Sequence, residues 1–204
     1  LADAILFSCG LTDRIGSTAD GTTVMDFDAE EKKRGTSLQT SLYQFERDAI
    51  KVNLIDAPGL FDFAGGVSEA LTAADCALIA LSGKSGLTVG AQLNYKSAKE
   101  QGVPTAFFIG KLNASRAYFY RVLSTLTAHY GGAICPVVVP IENGDEIDGF
   151  VNLITNKAYK FDGIKATEIP VPQNDEISNV RAVMLEAVAT ADDDLMEKYF
   201  EGEE

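Results

Sequence analysis

The sequence predicts an α/β fold, in which apolar strands alternate with helices. Two strands with few polar residues, 75–82 and 103–109, flank an amphipathic segment at 89–101 that is typical of a helix. Strands that are apolar on both faces are characteristic of a parallel sheet. A third strand, 50–55, runs directly into Asp56, and open α/β sheets bind ligands at strand ends of this kind. The fold and a candidate site are therefore predicted together.

Turn residues and apolar spacing predict the remaining elements. Residues 1–8 should form a helix that stops at Gly10, and residues 12–33 are polar enough for a mobile loop. A hairpin follows, with its turn at 46–48. The other predicted elements are a strand at 38–45, helices at 63–73 and 114–130, a strand at 135–141, a strand pair around 150–153 and 158–161, and helices at 173–191 and 192–200.

The composition is that of an ordinary folded protein. The chain has 204 residues, 46% of them hydrophobic and 23% charged, which is enough for one substantial core with an appendage. Its formal net charge of −13 argues against binding of a phosphate backbone through counterion release. The three cysteines are widely spaced and predict neither a disulfide framework nor a zinc site. No apolar run approaches the ~20 residues of a membrane span, so we expect a cytoplasmic protein without membrane contact.

Two short motifs follow strands and are candidates for ligand chemistry. Asp56-Ala57-Pro58-Gly59 comes after the strand at 50–55, and Gly110-Lys111-Leu112-Asn113 comes after the strand at 103–109. Each motif also has a purely structural interpretation. Asp-x-Pro-Gly forms ordinary turns, and Asn113 is a good N-cap for a helix at 114–130. The residues of the two motifs leave both interpretations open.

Further motifs occur in an order that resembles that of translational GTPases, most closely elongation factor G. Lys33-Arg34-Gly35-Thr36-Ser37-Leu38 resembles the end of the first switch region, and Asp56-Ala57-Pro58-Gly59 resembles the motif that follows it. The resemblance continues through Val89-Gly90, Gly102-Val103-Pro104, Val139-Pro140-Ile141 and residues 192–199. It implies a P-loop GTPase-type sheet with flanking helices in residues 1–141. Residues 142–204 would form a small α+β insert subdomain of the elongation factor G type.

The resemblance also implies which residues bind ligands. In such a GTPase, Asp56 holds Mg²⁺ through a water molecule and the N–H of Gly59 meets the γ-phosphate of GTP. Ser37, or Thr36 if the register differs by one, would reach the magnesium. The implied cofactors are thus GTP or GDP with Mg²⁺. The implied nucleotide-binding residues are Asp56, Ala57, Pro58, Gly59, Gly110, Lys111, Leu112 and Asn113, and the implied magnesium ligands are Ser37 and Asp56.

Three positions depart from the family's pattern. Leu60 stands where translational GTPases commonly have the histidine that orients the attacking water, so no catalytic residue is assigned. Gly110 and Asn113 replace the asparagine and the aspartate of the Asn-Lys-x-Asp motif that reads guanine. An amide cannot accept both hydrogen bonds that guanine offers, and one mismatched contact costs roughly 1–3 kcal/mol. The single histidine, His129, is predicted near the end of a helix and far from this motif.

The family's phosphate-binding loop, and the strand before it, are expected to be missing from this piece of sequence. Gly83-Lys84-Ser85 matches the end of such a loop, but Leu78 stands where the loop needs a glycine. Backbone N–H groups and the lysine of the loop supply most of the phosphate binding. We therefore expect these residues alone to bind nucleotide weakly or not at all and to be inactive as a GTPase.

The predicted function is that of a GTP-binding domain of an elongation factor G-like translation factor, in which GTP hydrolysis drives translocation on the ribosome. The resemblance implies that the insert contacts the ribosomal stalk protein, and it favours a monomer without sequence-specific nucleic-acid binding. One alternative is a degenerate module that acts as a non-enzymatic, ribosome-associated scaffold. Another is a ribosomal protection protein of the tetracycline-resistance type, or a release factor, because these share the domain.

Overall fold

A computed structural model describes residues 1–144, 146–162, 165–190 and 192–201. The chain divides into two compact units. The first unit comprises Leu1–Ala80 and Thr88–Phe108, and the second comprises Leu81–Leu87 and Ile109–Glu204.

The first unit contains helices, a hairpin and most of a pair of parallel strands. Its helices are α1 (Ala2–Ser8), α2 (Ala29–Arg34), α3 (Ala64–Ala73) and α4 (Val89–Glu100), with a short 3₁₀ turn at Phe61–Phe63. Its hairpin strands are β1 (Ser41–Arg47) and β2 (Ile50–Asp56), and the pair comprises β3 (Ala77–Ser82) and β4 (Thr105–Gly110). The predicted helix at 1–8 and the predicted mixture of helices and strands are confirmed.

The hairpin β1–β2 forms an antiparallel ladder from Ser41 opposite Asp56 to Arg47 opposite Ile50. Asp48 and Ala49 form its turn, both with positive φ (50° and 63°), as in the two-residue turns that suit hairpin twist. The turn therefore begins two residues and ends one residue later than the predicted 46–48, and Glu46 and Arg47 belong to β1. The buried core of this unit contains Leu6 of α1 and Phe45 of β1 together with Met25, so α1 covers one face of the hairpin.

Strands β3 and β4 are parallel neighbours. The amide of Ala77 donates to the carbonyl of Pro104 at 2.8 Å. The amide of Gly83 donates to the carbonyl of Gly110. Both bonds join residues that are separated by the same number of positions in the sequence, as expected for parallel strands. Burial alternates along β3, and Leu78 is 52% exposed, so the prediction of a fully buried strand is wrong. In the part of the chain described, β3 and β4 pair only with each other, and one face of the pair stays open.

The second unit combines helices with an antiparallel sheet. Its helices are α5 (Phe119–Tyr130), α6 (Asp175–Ala189) and α7 (Asp193–Glu201), with a 3₁₀ turn at Gly131–Ala133. Its strands are β5 (Val138–Asn143), β6 (Glu146–Asn152), β7 (Lys157–Phe161) and β8 (Ala166–Ile169), which form a four-stranded sheet in the order β5-β6-β7-β8. The core between the sheet and the helices contains Phe119, Val139, Val151, Leu153, Ala158, Ile177 and Met184.

Two predicted local structures were wrong. The loop predicted at 12–33 contains most of α2, which begins where Asp28 and Glu31 form a capping box. The helix predicted at 114–130 begins only at Phe119, and Asn113 does not cap it. Lys111 and Arg116 have positive φ (55° and 63°), and such left-handed residues interrupt a helix, so residues 111–117 form turns instead.

The predicted division of the chain at 141/142 falls inside the sheet of the second unit. Strand β5 runs across it, and β5 pairs with β6 from Val138 opposite Asn152 to Asn143 opposite Glu146. Glu142 and Asn143, the first residues after the predicted boundary, are strand residues, and Asp145 lies outside the described residues. The assignment of 142–204 to a family insert therefore stays a prediction. None of the helices in the described ranges is long and apolar enough to span a lipid bilayer.

Candidate nucleotide-binding site

Asp56 ends strand β2 among other carboxylates of the first unit. Burial is the main reason that the pKa of Asp56 is raised above its ordinary value, and the charge of Asp26 raises it further. Asp3 and Glu31 act in the same direction. The position of Asp56 at the end of a strand is as predicted, and its negative charge is poorly compensated there.

Ser37 is held by a second carboxylate, that of Asp26. The hydroxyl of Ser37 donates to Asp26 Oδ1 at 2.6 Å, and the hydroxyl of Thr23 donates to Asp26 Oδ2 at 3.0 Å. Asp26 is only 6% exposed, so these two hydroxyls provide hydrogen bonds to a carboxylate that is almost shielded from water. The orientation of the Ser37 side chain is therefore fixed by Asp26.

Glu31 holds the residues that follow Ser37. Its Oε1 accepts the amides of Leu38 at 2.9 Å and Gln39 at 3.1 Å, and its Oε2 accepts the amide of Asp28 at 3.1 Å. The Glu31 side chain is 2% exposed. A buried carboxylate that accepts three backbone amides is well compensated without a cation. Together Asp26 and Glu31 anchor residues 37–39 to α2 and the segment before it.

The first unit offers oxygen donors of the kind that Mg²⁺ prefers. The hydroxyl of Ser37 and the carboxylate of Asp56 are hard ligands, and the resemblance implies the same pair. The donor chemistry thus fits magnesium, with Ser37 exchanging its bond to Asp26 for one to the ion. Across the described ranges, no three His, Cys, Asp or Glu side chains are grouped so as to hold a metal ion by themselves. Any magnesium here would need water or nucleotide oxygens to complete its coordination.

The motif after β2 turns sharply into α3. Pro58 is fully buried, whereas Gly59 is exposed and has open space where a Cβ would stand. The hydroxyl of Thr40 donates to the carbonyl of Gly66 at 3.1 Å, so the segment before β1 is tied to the first turn of α3. Beside this turn lies a cleft of about 250 Å³, whose lining includes Gly59 and Leu60.

Leu60, which the resemblance places at the position of a catalytic histidine, is a half-exposed residue at the edge of this cleft. It is 49% exposed, and its carbonyl accepts the amide of Phe63 at 3.0 Å as the 3₁₀ turn begins. An apolar side chain there can neither orient nor deprotonate a water molecule. His129 lies in the last turn of α5 in the second unit, where it was predicted, in an edge-on ring contact with Tyr130.

The other predicted motif, Gly110-Lys111-Leu112-Asn113, lies in the second unit at the end of β4. The carbonyl of Gly110 accepts the amide of Gly83 at 2.8 Å. A Cβ added at Gly83 would stand 2.7 Å from Leu112 Cδ2, so the two loops pack tightly. Lys111 and Asn113 are exposed, and the left-handed backbone at Lys111 (φ 55°) turns the chain between them. Both polar side chains are thus accessible to a ligand at the end of β4.

Two residues that position the site were not assigned a role from the sequence. Asp26 and Glu31 are the buried acceptors for Ser37 and for the amides after it. The capping-box spacing of Asp28 and Glu31 was a usable signal for α2, whereas nothing in the sequence indicated that Asp26 bonds to Ser37. A larger groove of about 770 Å³ between α5 and α6 contains none of the predicted site residues.

Comparison with known proteins identifies the family. Residues 1–201 match the model of the elongation factor Tu GTP binding domain family. Because the match covers nearly the whole chain, the chain belongs to this family.

Two relatives are similar to this chain along nearly its whole length. The chain is 33% identical to elongation factor G of Mycoplasma pneumoniae over 208 aligned positions, which cover 100% of this chain and 30% of that protein. A crystal structure of a protein from Thermus thermophilus superposes with a TM-score of 0.90 at 33% identity, covering 99% of this chain and 31% of that one. The chain thus spans about a third of the length of both relatives.

Proposed function

We propose that this chain is part of the GTP-binding domain of an elongation factor G-like translation factor, which couples GTP hydrolysis to translocation on the ribosome. The observation that carries the proposal is the match of residues 1–201 to the family, together with similarity to elongation factor G along the whole chain. Asp56–Gly59 and Gly110–Asn113 bind GTP or GDP in this proposal. Ser37 and Asp56 hold the Mg²⁺ ion.

The remaining parts of the proposal concern partners and location. Residues 142–204 form the insert and contact the ribosomal stalk protein, the domain works as a monomer, and the protein acts in the cytoplasm. The acidic composition of residues 142–204, with 16 Asp and Glu against 5 Lys and Arg, favours a protein partner over RNA for this insert. Translocation rather than ribosomal protection is proposed because the similar curated protein is an elongation factor G.

A second function is favoured by specific residues. Leu60 is exposed and apolar, and Gly110 and Asn113 replace polar groups of the guanine-reading motif. A protein with these residues can serve as a ribosome-associated scaffold that binds nucleotide poorly and does not hydrolyse it. The two functions differ in one measurable property, which is selective affinity for guanine nucleotides.

The test is binding of GDP, GTP and XTP, with and without Mg²⁺, to the full-length protein that contains these residues. Tight binding that selects guanine supports the translation factor. If a correctly folded protein binds none of the three nucleotides, the enzymatic proposal is abandoned in favour of the scaffold. Asn113→Asp should raise the preference for GTP over XTP by about 10- to 100-fold, because it restores the second acceptor for guanine, and one mismatched contact costs roughly 1–3 kcal/mol.

Asn156→Asp is the matched control for this variant. It adds the same charge in an exposed turn of the second unit and should leave the preference unchanged. An equal change in both variants would mean that overall charge, and not recognition at Asn113, determines nucleotide selectivity.

A further inference from the structure

Positive charge is concentrated in the middle of this acidic chain. Residues 76–141 contain six Lys and Arg and a single acidic residue, Glu100, so their formal charge is +5 although the whole chain carries −13. No Asp or Glu occurs between Glu100 and Glu142. Within the second unit, this region supplies Lys84, Lys111, Arg116 and Arg121.

Contacts between two loops bring these cations together. Gly83, next to Lys84, donates its amide to Gly110, next to Lys111, at 2.8 Å. The carbonyl of Gly83 accepts the amide of Tyr118 at 3.1 Å. A Cβ added at Gly83 would lie 3.3 Å from that of Ala117, which follows Arg116. The loops after β3 and β4 therefore form one surface.

An aromatic ring and a guanidinium group are held in place on this surface. The guanidinium of Arg121 lies 5.2 Å from the ring centre of Tyr118 and donates to the carbonyl of Lys84 at 3.2 Å. Tyr118 is nevertheless 46% exposed, and Lys84, Arg116 and Arg121 are exposed. We call Lys84, Arg116, Tyr118 and Arg121 the basic edge. Lys111 lies in the neighbouring loop but is not included in the basic edge, because the proposed function assigns it to nucleotide binding.

The surrounding negative charge does not neutralise the basic edge. None of its three cations forms an ion pair with a carboxylate among the ion pairs found in the described ranges. Glu142 and Glu176 are the carboxylates whose charges reach Tyr120 at the start of α5. Burial raises the pKa of Glu142, and a backbone hydrogen bond from Phe119 lowers it. Exposed charges farther away than a Debye length of about 8–10 Å are largely screened at physiological salt.

We infer that the basic edge binds the phosphate backbone of single-stranded or looped RNA, with the Tyr118 ring as a stacking platform for a base. Cations in combination with an exposed aromatic ring are typical of sequence-tolerant single-strand binding. An acidic peptide would be bound by the cations, and its recognition would not use the exposed part of the Tyr118 ring. This function goes beyond nucleotide hydrolysis, and it is tested without any nucleotide, so its failure would not affect the proposed GTP binding.

The experiment measures fluorescence anisotropy of a labelled single-stranded RNA of about 12 nucleotides, a length within the range that one such site covers. The 204-residue chain is titrated into the labelled RNA at several KCl concentrations between about 50 and 200 mM. The double variant Lys84→Gln/Arg116→Gln should bind about tenfold more weakly at the lower salt. Its slope of log affinity against log salt should be smaller by about 1.4, since each contact to a single-strand phosphate contributes about 0.7.

The matched control is Lys160→Gln/Lys165→Gln, which removes the same charge from exposed positions of the same unit. It should bind RNA like the unmodified chain. Tyr118→Phe should also retain binding, whereas Tyr118→Leu should lose about tenfold because stacking is removed. Far-UV circular dichroism and the melting temperature show that each variant is folded.

Three outcomes would overturn the inference. The first is no RNA binding by the unmodified chain at the lowest salt. The second is an equal loss in the Lys160/Lys165 control, which would make binding a matter of total charge. The third is polyglutamate binding that competes with the RNA and responds to Lys84→Gln/Arg116→Gln but not to Tyr118→Leu, which would assign the surface to an acidic protein.

Discussion

Two adjacent glycines in the first turn of α3 should respond in opposite ways to the same substitution. A Cβ added at Gly66 would stand 2.9 Å from Thr40 Oγ1 and 3.3 Å from Pro58 Cδ, whereas a Cβ added at Gly65 would meet nothing within 4 Å. Neither glycine has a positive φ, so alanine is compatible with the backbone at both positions. The pair Gly66→Ala and Gly65→Ala therefore isolates the contact between Thr40, Pro58 and the helix.

The expected magnitude follows from three contributions. Alanine is favoured over glycine in a helix by up to about 1 kcal/mol, and this gain is shared by both variants. In Gly66→Ala the Thr40 hydroxyl must rotate away and lose its 3.1 Å bond to the Gly66 carbonyl, which costs about 1 kcal/mol. The close contact with the rigid Pro58 ring must also be relieved, which adds a further cost in stability. We expect Gly66→Ala to be less stable than Gly65→Ala by about 1–2 kcal/mol.

Urea unfolding followed by far-UV circular dichroism measures this difference. The double variant Thr40→Ala/Gly66→Ala should recover part of the loss, because the oxygen that clashes is removed, and the two effects should not be additive. Equal stabilisation by Gly65→Ala and Gly66→Ala would refute the reasoning. It would mean that the segment before β1 does not rest on α3 in solution.

Three further predictions concern the site. Asp56→Asn should gain stability relative to the unmodified chain as pH rises through the acidic range. Because the pKa of Asp56 is raised in the folded state, this carboxyl stabilises the fold below its unfolded pKa, and the contribution is lost as pH rises through the folded pKa. Urea midpoints measured against pH test this, and a difference between the two proteins that stays constant with pH would contradict it. Glu31→Gln should lower the unfolding free energy by about 1–3 kcal/mol, because at least one partly buried amide loses its acceptor. Glu30→Gln, at an exposed ion pair, should change it by less than about 0.5 kcal/mol. Similar urea midpoints for both variants would count against the anchoring role of Glu31. Leu60→His in the full-length protein should accelerate GTP hydrolysis by about 100-fold in a phosphate-release assay. The control Phe61→His, one residue later and 74% exposed, should leave the rate unchanged. No acceleration by Leu60→His would show that the missing histidine does not limit the rate of hydrolysis.

Local sequence signals predicted the elements whose stability depends on neighbouring residues. The strand that ends at Asp56 and the buried Pro58 turn lie where the motif placed them, because an apolar strand followed by Pro-Gly leaves few alternatives. The helix α2 was missed although Asp28 and Glu31 have capping-box spacing, since the polar composition around them favoured a loop.

Features that depend on distant residues could not be predicted in this way. Helix α5 starts late because Arg116 takes a left-handed conformation in a loop that packs on Gly83, a residue remote in sequence. The bond from Ser37 to Asp26 likewise requires the chain to fold back over 11 residues. The open face of β3 depends on which other elements pack against that face, and the composition of the strand itself does not reveal them.

The Glu31 side chain influences how residues 28–39 unfold. It accepts one amide before α2 and two after it, so a single rotation away from these groups would leave three partly buried donors without their acceptor. Such a segment does not fray gradually from either end. Its amides should exchange with deuterium in one cooperative step, and the helix, the Gly35 turn and the residues after Ser37 should behave as a single opening unit.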